Sequence, residues 1–494
     1  MKKIALFICL LLLAACAAPA VELAVDSSLP TVVASAPPAT GTSAPPPAPT
    51  LTATPAPVAS VLMVGWDKTL KSGVIRAIDP ATGQDVAGRA PIPFVAGRDQ
   101  LYDVPDALSA DGQRAAIFEL DGSICRGYAG GSACYWRSDA VHVIDVRSWT
   151  ARLVPLPVGG WVGPLAFSPD GATLAVGVQT GDGDQLLLID VTRGEVAAQT
   201  GLAFEPAEVG FGDGGRTLVV YGQPPGEEPG VTRPGAPQVA LLDATSLTVK
   251  WEATLDEVTS GFWCSAKCDE EHGVQETAMW TPGVALSPDG DTLYILHADD
   301  DRLTVVDLAR QSVRNLSLSA PQSWLERLLA ATAGVAHAKG PMNGTTRSVA
   351  LSPDGTRLYA TGYSVRSDVD LSGNWTLNED QLPLQVINPS TGMVLAQRDV
   401  DAQTVRLTPD GGRLLLGGWT ERGPVTRVLD AKTLAPIADV TGPDVVFTLD
   451  SAGQARIVGQ PFYDQPAVMS VLDPTSLKSA AEWRVDGPAS WLER

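Results

Sequence analysis

Few side chains in this chain could support catalysis or bind a metal. Of its four histidines, His272 follows two cysteines at ligand-like spacing, in Cys264-x3-Cys268-x3-His272. Thiolates and an imidazole would suit zinc, but an oxidised cysteine pair explains the same spacing. The sequence contains no Gly-x-Ser-x-Gly nucleophile motif and no phosphate-cradling glycine loop. It therefore predicts no catalytic residue, no metal site and no cofactor.

Carboxylates cluster beside a second histidine. Asp299, Asp300 and Asp301 closely follow His297. The run lacks the spaced acidic pattern, ending in glutamate, that calcium loops use. A single histidine beside acids is more often structural than a general base. We interpret the run as a solvated turn and His297 as a structural or exposed residue.

The N-terminus has the features of an export signal. Lys2 and Lys3 precede an apolar run, Ile4–Leu13, that is too short for a stable membrane span. The next residues, Leu13-Ala14-Ala15-Cys16, resemble the lipobox of bacterial lipoproteins. That resemblance implies a signal peptide over residues 1–15 and a lipid on Cys16, with an ordinary secretory signal as the alternative. Both interpretations predict an extracytoplasmic protein, and the first anchors it to a bacterial membrane.

A linker and an acidic domain follow. Residues 16–60 are almost wholly Ala, Pro, Thr, Ser and Val, a composition that cannot bury a core and predicts a disordered tether. Residues 61–494 are expected to form a single large domain. The formal charge of −21 argues against nucleic acid and anionic lipid surfaces as partners. The membrane is therefore expected to be a partner only through the lipid anchor.

Four cysteines lie in the predicted domain, namely Cys125, Cys134, Cys264 and Cys268. An even number of cysteines in an oxidising compartment predicts disulfides, although four cysteines allow three pairings. We favour the two local pairs, because the two cysteines of each pair lie within one segment between strand-like runs.

A repeated turn motif predicts the fold. Ser-Pro-Asp-Gly begins at Ser168, Ser287 and Ser352, with near-copies at Ser109, Gly212 and Thr408. Each copy joins two apolar runs; a third run ending in Asp and a final run follow. Proline and glycine favour tight turns, and β-branched runs favour strands. Four antiparallel strands per repeat predict an all-β fold, a β-propeller of four-stranded blades.

Eight such units can be counted. They are Val61–Phe94, Ala107–Val158, Leu165–Phe204, Val209–Val258, Val284–Ala320, Val349–Ala402, Val405–Pro443 and Val445–Val485. The first unit lacks an opening strand, and the tail Pro488–Arg494 has residues for a single strand. We therefore expect the C-terminal strand to complete the N-terminal blade. The sequence predicts eight blades; seven is the alternative if the Val445 unit is irregular.

Some repeats resemble a known family. Ile78-Asp79-Pro80-Ala81-Thr82-Gly83, Ile387-Asn388-Pro389-Ser390-Thr391-Gly392 and Leu472-Asp473-Pro474-Thr475 are similar to YVTN-type bacterial propeller repeats. The resemblance covers most of Val61–Val485 and implies an extracytoplasmic scaffold. The family also includes a few enzymes. A lactonase-like hydrolase or quinoprotein-like oxidoreductase, with its site at the mouth of the central channel, is thus the alternative.

Insertions between the repeated runs predict a binding surface. They fall between second and third strands and between blades, and in a propeller both kinds of loop emerge on one face, here called the long-loop face. Six tryptophans lie in these insertions or where second strands end: Trp66, Trp136, Trp263, Trp280, Trp375 and Trp419. Exposed aromatic rings beside carboxylates suit saccharides or cationic peptides. Alternatively, these tryptophans only pack the insertions against the propeller.

One insertion predicts a helix. Ser323 and Glu326 have the spacing of a capping box, and Leu325, Leu328 and Leu329 continue at helical spacing. Such a helix would lie over the long-loop face or cover a blade edge. Taken together, the sequence predicts a monomeric, non-catalytic scaffold that binds a protein, a peptide or a saccharide.

Overall fold

The computed structural model describes most of the chain beyond residue 58. It covers residues 59–102, 104–128, 131–180, 183–224, 234–264, 277–319, 342–369, 375–420, 423–441, 444–460, 467–474, 476–485 and 488–492. The predicted signal peptide, Cys16, the tether and the Ser323 helix lie outside these residues. Within them, no helix is long and apolar enough to cross a membrane. Helical structure in this part of the chain is limited to 3₁₀ turns at Arg98–Tyr102 and Asp213–Gly215.

The described strands form consecutive blades. Blades 1 to 3 contain β1 (Val61–Asp67), β2 (Ser72–Ile78), β3 (Ile92–Phe94), β4 (Asp106–Leu108), β5 (Arg114–Phe118), β6 (Gly122–Tyr128), β7 (Gly131–Asp145), β8 (Thr150–Phe167), β9 (Thr173–Thr180), β10 (Gly183–Asp190) and β11 (Glu195–Leu202). Strand β8 is both the last strand of blade 2 and the first of blade 3, so these two blades share one ladder. Strand β6 is an extra strand paired with β7.

Blades 4 to 6 follow the same plan with one addition. They contain β12 (Glu205–Gly212), β13 (Thr217–Gln223), β14 (Gln238–Asp243), β15 (Val249–Thr254), β16 (Gly261–Cys264), β17 (Thr277–Thr281), β18 (Gly283–Leu286), β19 (Thr292–Leu296), β20 (Arg302–Asp307), β21 (Ser312–Ser317), β22 (Met342–Leu351), β23 (Leu358–Val369), β24 (Trp375–Asn388) and β25 (Met393–Arg398). Strands β16 and β17 pair with each other, and β17 joins blade 6 by running parallel to β22.

The last strands close the ring. Blades 7 and 8 contain β26 (Thr404–Leu407), β27 (Arg413–Thr420), β28 (Gly423–Asp430), β29 (Pro436–Thr441), β30 (Asp444–Leu449), β31 (Ala455–Gln460), β32 (Ala467–Leu472) and β33 (Ser479–Val485). The final strand, β34 (Ala489–Trp491), pairs antiparallel with β1 and completes blade 1. The prediction of eight four-stranded antiparallel blades, with a C-terminal strand in the N-terminal blade, is confirmed.

Apolar clusters join each blade to the next. Val446 and Val458 of blade 8, for example, pack with Val61 and Trp491 of blade 1. Further clusters link blades 1, 2 and 3, then each neighbouring pair from blade 3 to blade 8. First strands of several neighbouring blades, such as β8 with β12 and β18 with β22, contact each other around the centre. The core is therefore a closed series of interfaces between blades.

The repeated Asp-Gly turns have a defined hydrogen-bond pattern. In the first Ser-Pro-Asp-Gly turn, the Ser168 hydroxyl donates to Asp170 Oδ1 at 2.6 Å and accepts the Thr173 amide at 2.9 Å. Gly171 has a positive φ of 67°, which favours glycine over residues with a Cβ. Equivalent serine or threonine bonds occur at Ser109, Ser287, Ser352 and Thr408. The motif therefore encodes the turn itself.

The two faces of the ring differ, as the insertions predict. Turns between first and second strands are short, and so are turns between third and fourth strands except residues 79–91 of blade 1. We call the face formed by these turns the tight-turn face. The long connections occupy residues 119–137, 224–237, 255–282 and 318–341, and β23 and β24 extend beyond their blade as a hairpin. All of these connections begin and end at strand ends of the long-loop face.

Candidate functional site

The six predicted tryptophans do not form one exposed set. Trp136 is only 6% exposed and packs in the core cluster of blades 1 to 3, as the packing alternative predicts. Trp66 and Trp280 are half-buried. Trp419 is 41% exposed at the end of β27. For Trp263 and Trp375 the structure describes the backbone strands alone. Trp419 is thus the candidate with the most accessible ring among those whose side chains are described.

A cavity of about 450 Å³ lies beside Trp66. Its lining includes Arg76, which forms ion pairs with Asp67 at 3.1 Å and with Asp85 at 2.9 Å. Arg484 of blade 8 also lines this cavity. Trp66 therefore belongs to a polar groove at the junction of blades 1 and 8, distant in sequence from the main insertions.

Two of the predicted disulfide cysteines face each other in a hairpin. Cys125 on β6 is the direct cross-strand partner of Cys134 on β7. Opposed residues of antiparallel strands have Cα atoms about 4.5–5.5 Å apart, which is within the range that a disulfide spans. Cys264 ends β16, and Cys268 lies outside the described residues.

A buried histidine and three acids meet on the long-loop face between β19 and β20. His297 is fully buried, and its Nδ1 lies 3.1 Å from Asp300 Oδ1 and 3.9 Å from Asp299 Oδ1. Burial lowers the pKa of His297, although Asp300 opposes this effect. Arg302 pairs with both Asp300 and Glu257. The sequence interpretation of a solvated turn fits Asp301, which is 77% exposed. Of the two alternatives for His297, structural or exposed, the buried ring excludes the exposed one.

A second titratable cluster lies toward the centre of the ring. Glu208 is exposed on β12, the first strand of blade 4, and its cross-strand partner is Tyr221. The surrounding protein raises the pKa of Glu208 to about 7 by desolvation, even though the side chain reaches solvent. The buried hydroxyl groups of Tyr221 and Ser260 lie close enough to interact with each other. The cluster combines a carboxyl group whose pKa is raised to near neutral pH with two buried hydroxyl groups.

Sequence reasoning missed the Glu208 cluster for a simple reason. Glu208 is an isolated acid in an apolar run, and Ser260 is distant from it in sequence. One signal in the sequence could have identified Glu208. It lies on the predicted first strand of a blade, and first strands surround the central channel. Asp184 on β10 is a further buried acid, with 6% exposure. Burial and the nearby Glu205 raise its pKa to about 6.

Comparisons with known proteins agree with this architecture. No protein-family model matches the chain, and no curated protein does. Among solved structures, dihydro-heme d1 dehydrogenase NirN in complex with DHE has a TM-score of 0.51 and 14% identity, over 87% of this chain and 74% of that chain. BamB from Moraxella catarrhalis has a TM-score of 0.40 and 14% identity, over 75% of this chain and 92% of that chain. The similarity to NirN shows the β-propeller fold and assigns no activity.

Proposed function

We propose that this protein is an extracytoplasmic, lipid-anchored propeller that binds a partner through its long-loop face and performs no catalysis itself. The observation that supports this most directly is the asymmetry of the ring. Long connections begin and end at one face, while short turns cover most of the other. Binding residues in proteins concentrate on long loops that a rigid scaffold positions. The repeats that resemble YVTN-type scaffolds agree with this role.

The charge of the long-loop face favours a basic partner. Glu257 is 56% exposed and Asp301 77% exposed on this face, and Asp380 is exposed on the β23–β24 hairpin. Trp419 adds an accessible aromatic ring. Carboxylates beside an aromatic ring attract lysine and arginine side chains. We therefore propose a basic segment of another exported protein as the ligand; a saccharide is the other class that the test distinguishes.

Binding arrays with the full-length protein test this proposal. We expect basic peptides to bind, and we expect Asp380→Lys and Trp419→Ala each to weaken binding at least about tenfold. Asp291→Lys is the matched control, because Asp291 is an exposed acid on the tight-turn face. Binding that Asp291→Lys weakens as much as Asp380→Lys would contradict the choice of face. Binding to saccharides alone would reject the peptide ligand but retain the binding role.

The lipid anchor is tested separately. In a bacterial host that modifies lipoproteins, we expect a labelled fatty acid to be incorporated into the wild-type chain and not into Cys16→Ser. The variant should leave the membrane fraction. Incorporation that is unchanged by Cys16→Ser, or a wild-type chain without lipid, would reject the anchor and leave the binding proposal untouched.

Glu208 favours a second candidate function, a propeller enzyme with its site at the channel mouth. A carboxyl group with a pKa of about 7 is suited to general acid–base catalysis at neutral pH. A lactonase-like hydrolase is the reaction class that needs least from residues outside this cluster. Turnover of lactones that disappears in Glu208→Gln would establish this candidate. If wild type and Glu208→Gln are equally inactive on a lactone panel, this candidate is rejected.

A further inference from the structure

Three potential ligand atoms converge at the turn between β19 and β20. They belong to His297, Asp299 and Asp300. The two measured nitrogen–oxygen distances are 3.9 Å to Asp299 and 3.1 Å to Asp300. All three side chains offer a ligand atom within 4.8 Å of the others. Neighbouring acids alone are common on protein surfaces, but here one member of the set is a fully buried imidazole.

The opposite atom of each side chain is held by a hydrogen bond. His297 Nε2 contacts Thr304 Oγ1 at 2.7 Å, and Asp299 Oδ2 accepts the Thr259 hydroxyl at 2.6 Å. Asp300 Oδ2 accepts the Arg302 Nε–H group. Protein metal sites orient their ligands in this way, through partners on the non-ligating atoms. Hydrogen bonds on the non-ligating atoms therefore orient all three side chains, and the remaining ligand atoms point toward one another.

The hydrogen bonds around His297 indicate which nitrogen carries its proton. Thr304 donates its hydroxyl hydrogen to Asn315 Oδ1 at 2.6 Å, so its oxygen accepts the Nε2–H group of His297. The neutral ring then has a lone pair on Nδ1. Nδ1 and Asp300 Oδ1 are both buried, and neither makes a hydrogen bond. Two lone-pair atoms 3.1 Å apart repel each other unless both contact a proton or a metal ion.

We propose that His297, Asp299 and Asp300 bind one divalent transition-metal ion of the Zn²⁺ type. Metal–nitrogen and metal–oxygen bonds of about 2.1 Å at a tetrahedral angle separate neighbouring ligand atoms by roughly 3.4 Å. The observed 3.1 Å and 3.9 Å lie on either side of that value. Imidazole nitrogen with carboxylate oxygens is a ligand set that zinc accepts, whereas calcium and magnesium prefer oxygen alone.

The local charge also fits a divalent cation. Four carboxylates meet here, from Asp299, Asp300, Asp301 and Glu257. They face two guanidinium groups, those of Arg302 and Arg347. Two negative charges therefore remain beside a neutral imidazole. A divalent ion would balance these two charges.

The proposed site lies beside the junction of two blades. Thr259 lies in the connection that follows blade 4, whereas all three ligands belong to blade 5. The side chains of Asp299 and Asp300 are 28% and 37% exposed, so the remaining coordination positions face solvent on the long-loop face. The metal site goes beyond the proposed binding function, which does not require a metal.

Metal uptake by the full-length protein tests the site. The protein is freed of metal with a chelator and dialysed against Zn²⁺ or Co²⁺; metal content is then measured by mass spectrometry and Co²⁺ coordination by visible absorption. We expect one ion per wild-type chain, with the spectrum of Co²⁺ bound by nitrogen and oxygen. Asp299→Asn and His297→Gln should weaken uptake at least about tenfold.

The control is the neighbouring acid that faces away from the ligands. Asp301→Asn should retain one ion per chain, because Asp301 pairs with Arg347 and not with His297. Asp299 is partly exposed, so Asp299→Asn is expected to fold. This variant therefore tests the metal site even if His297→Gln does not fold. Wild-type protein that binds less than one ion, or uptake unchanged in Asp299→Asn, would overturn the proposal. A Co²⁺ spectrum with thiolate bands would also overturn it, by assigning the ion to cysteines.

Discussion

At the scale of single residues, each blade contains one turn position whose positive φ favours glycine over other residues. Four residues after the Asp or Asn that ends or directly follows the third strand, φ is positive in all eight blades. The residues are Gly83, Trp149, Gly194, Leu247, Gln311, Gly392, Leu434 and Leu477. For a residue with a Cβ, this conformation costs roughly 1 kcal/mol of conformational energy. Leu247 and Leu434 offset that cost by being buried, whereas Gln311 is exposed.

We therefore predict that Gln311→Gly stabilises the protein. Glycine adopts the φ of 55° at this position without strain. Its larger conformational entropy in the unfolded chain offsets part of this gain, so the free energy of unfolding should rise by less than about 1 kcal/mol. Gln311→Ala is the control and should change little, because alanine keeps the Cβ. Gly171→Ala should destabilise by a similar amount, since its φ is 67°. Urea unfolding measures all three; a stabilising Gly171→Ala would contradict the argument.

Glu208 gives a pH prediction. Its folded-state pKa is raised from 4.5 to about 7, so the folded chain binds this proton more tightly than the unfolded chain. Its contribution to stability therefore falls as pH rises from about 4.5 to about 7 and changes no further above that. Contact with channel solvent makes the effect smaller than for a fully buried carboxyl group. Glutamine cannot ionise, so between pH 4.5 and about 7 the melting temperature of Glu208→Gln should fall less than that of wild type. Melting temperatures that change in parallel with pH in both proteins would refute the raised pKa of Glu208.

At the scale of elements, the Asp-Gly turn is stabilised by its first side chain and its aspartate together. The Ser168 hydroxyl donates a hydrogen bond to Asp170 and accepts one from the Thr173 amide. The bond from Ser168 to Asp170 is the main cause that lowers the pKa of Asp170. The same causes lower the pKa of Asp354 to about 2. These turns are thus at full strength above the usual aspartate pKa and weaken as pH falls toward the lowered value.

Ser168→Ala should destabilise the chain by about 1–3 kcal/mol, because it leaves the Thr173 amide without its partner. Ser168→Thr is the matched control. Thr408 occupies the equivalent position in blade 7 and makes the same bonds to Asp410 and Arg413. Denaturant unfolding should place Ser168→Thr within about 1 kcal/mol of wild type. Equal losses for both variants would mean that the hydroxyl is not responsible.

The β6–β7 hairpin yields a prediction about disulfides. Because Cys125 and Cys134 are opposed in register, we expect them to be linked in exported protein. Peptide mapping without reductant should recover a single cross-linked fragment that contains both residues. Cys134→Ser should release a free thiol at Cys125. A cross-link from Cys125 to Cys264 or Cys268 would show that the register does not determine the pairing.

At the scale of the whole molecule, stability depends on closing the ring. The closing strand contributes Trp491, which is 1% exposed and donates its Nε1–H group to the Gly459 carbonyl at 3.1 Å. Its backbone amide is bonded to Gln460 Oε1 at 3.1 Å. Through these contacts, the last strand joins blade 8 to blade 1, and it removes the exposed sheet edge that an open ring would present.

Trp491→Ala should therefore cost about 3–5 kcal/mol, the usual loss for a buried tryptophan. Trp419→Ala is the control of equal size change and should cost far less, because its ring is 41% exposed. Thermal and denaturant unfolding of both variants measure the difference. Similar losses in the two variants would show that closure by β34 contributes little to stability.

The sequence alone determined the blades, their number and the face that carries the long loops. Each tight turn is encoded by residues within six positions of one another, as Ser168 to Thr173 shows, so a local pattern was sufficient. Counting these local units also revealed the missing strand of blade 1. The tryptophan surface was less predictable, because insertion into a loop does not say whether a ring such as Trp136 is buried.

Only the tertiary structure decided which groups meet on that face. Thr259 and Asp299 are brought together by packing blade 4 beside blade 5, and no local pattern records that contact. The burial of His297 and the desolvation of Glu208 likewise come from the surrounding ring. Hydrogen bonds in a turn act over a few residues and leave a sequence motif. Burial and electrostatics sum over neighbours in space, which the order of residues does not reveal.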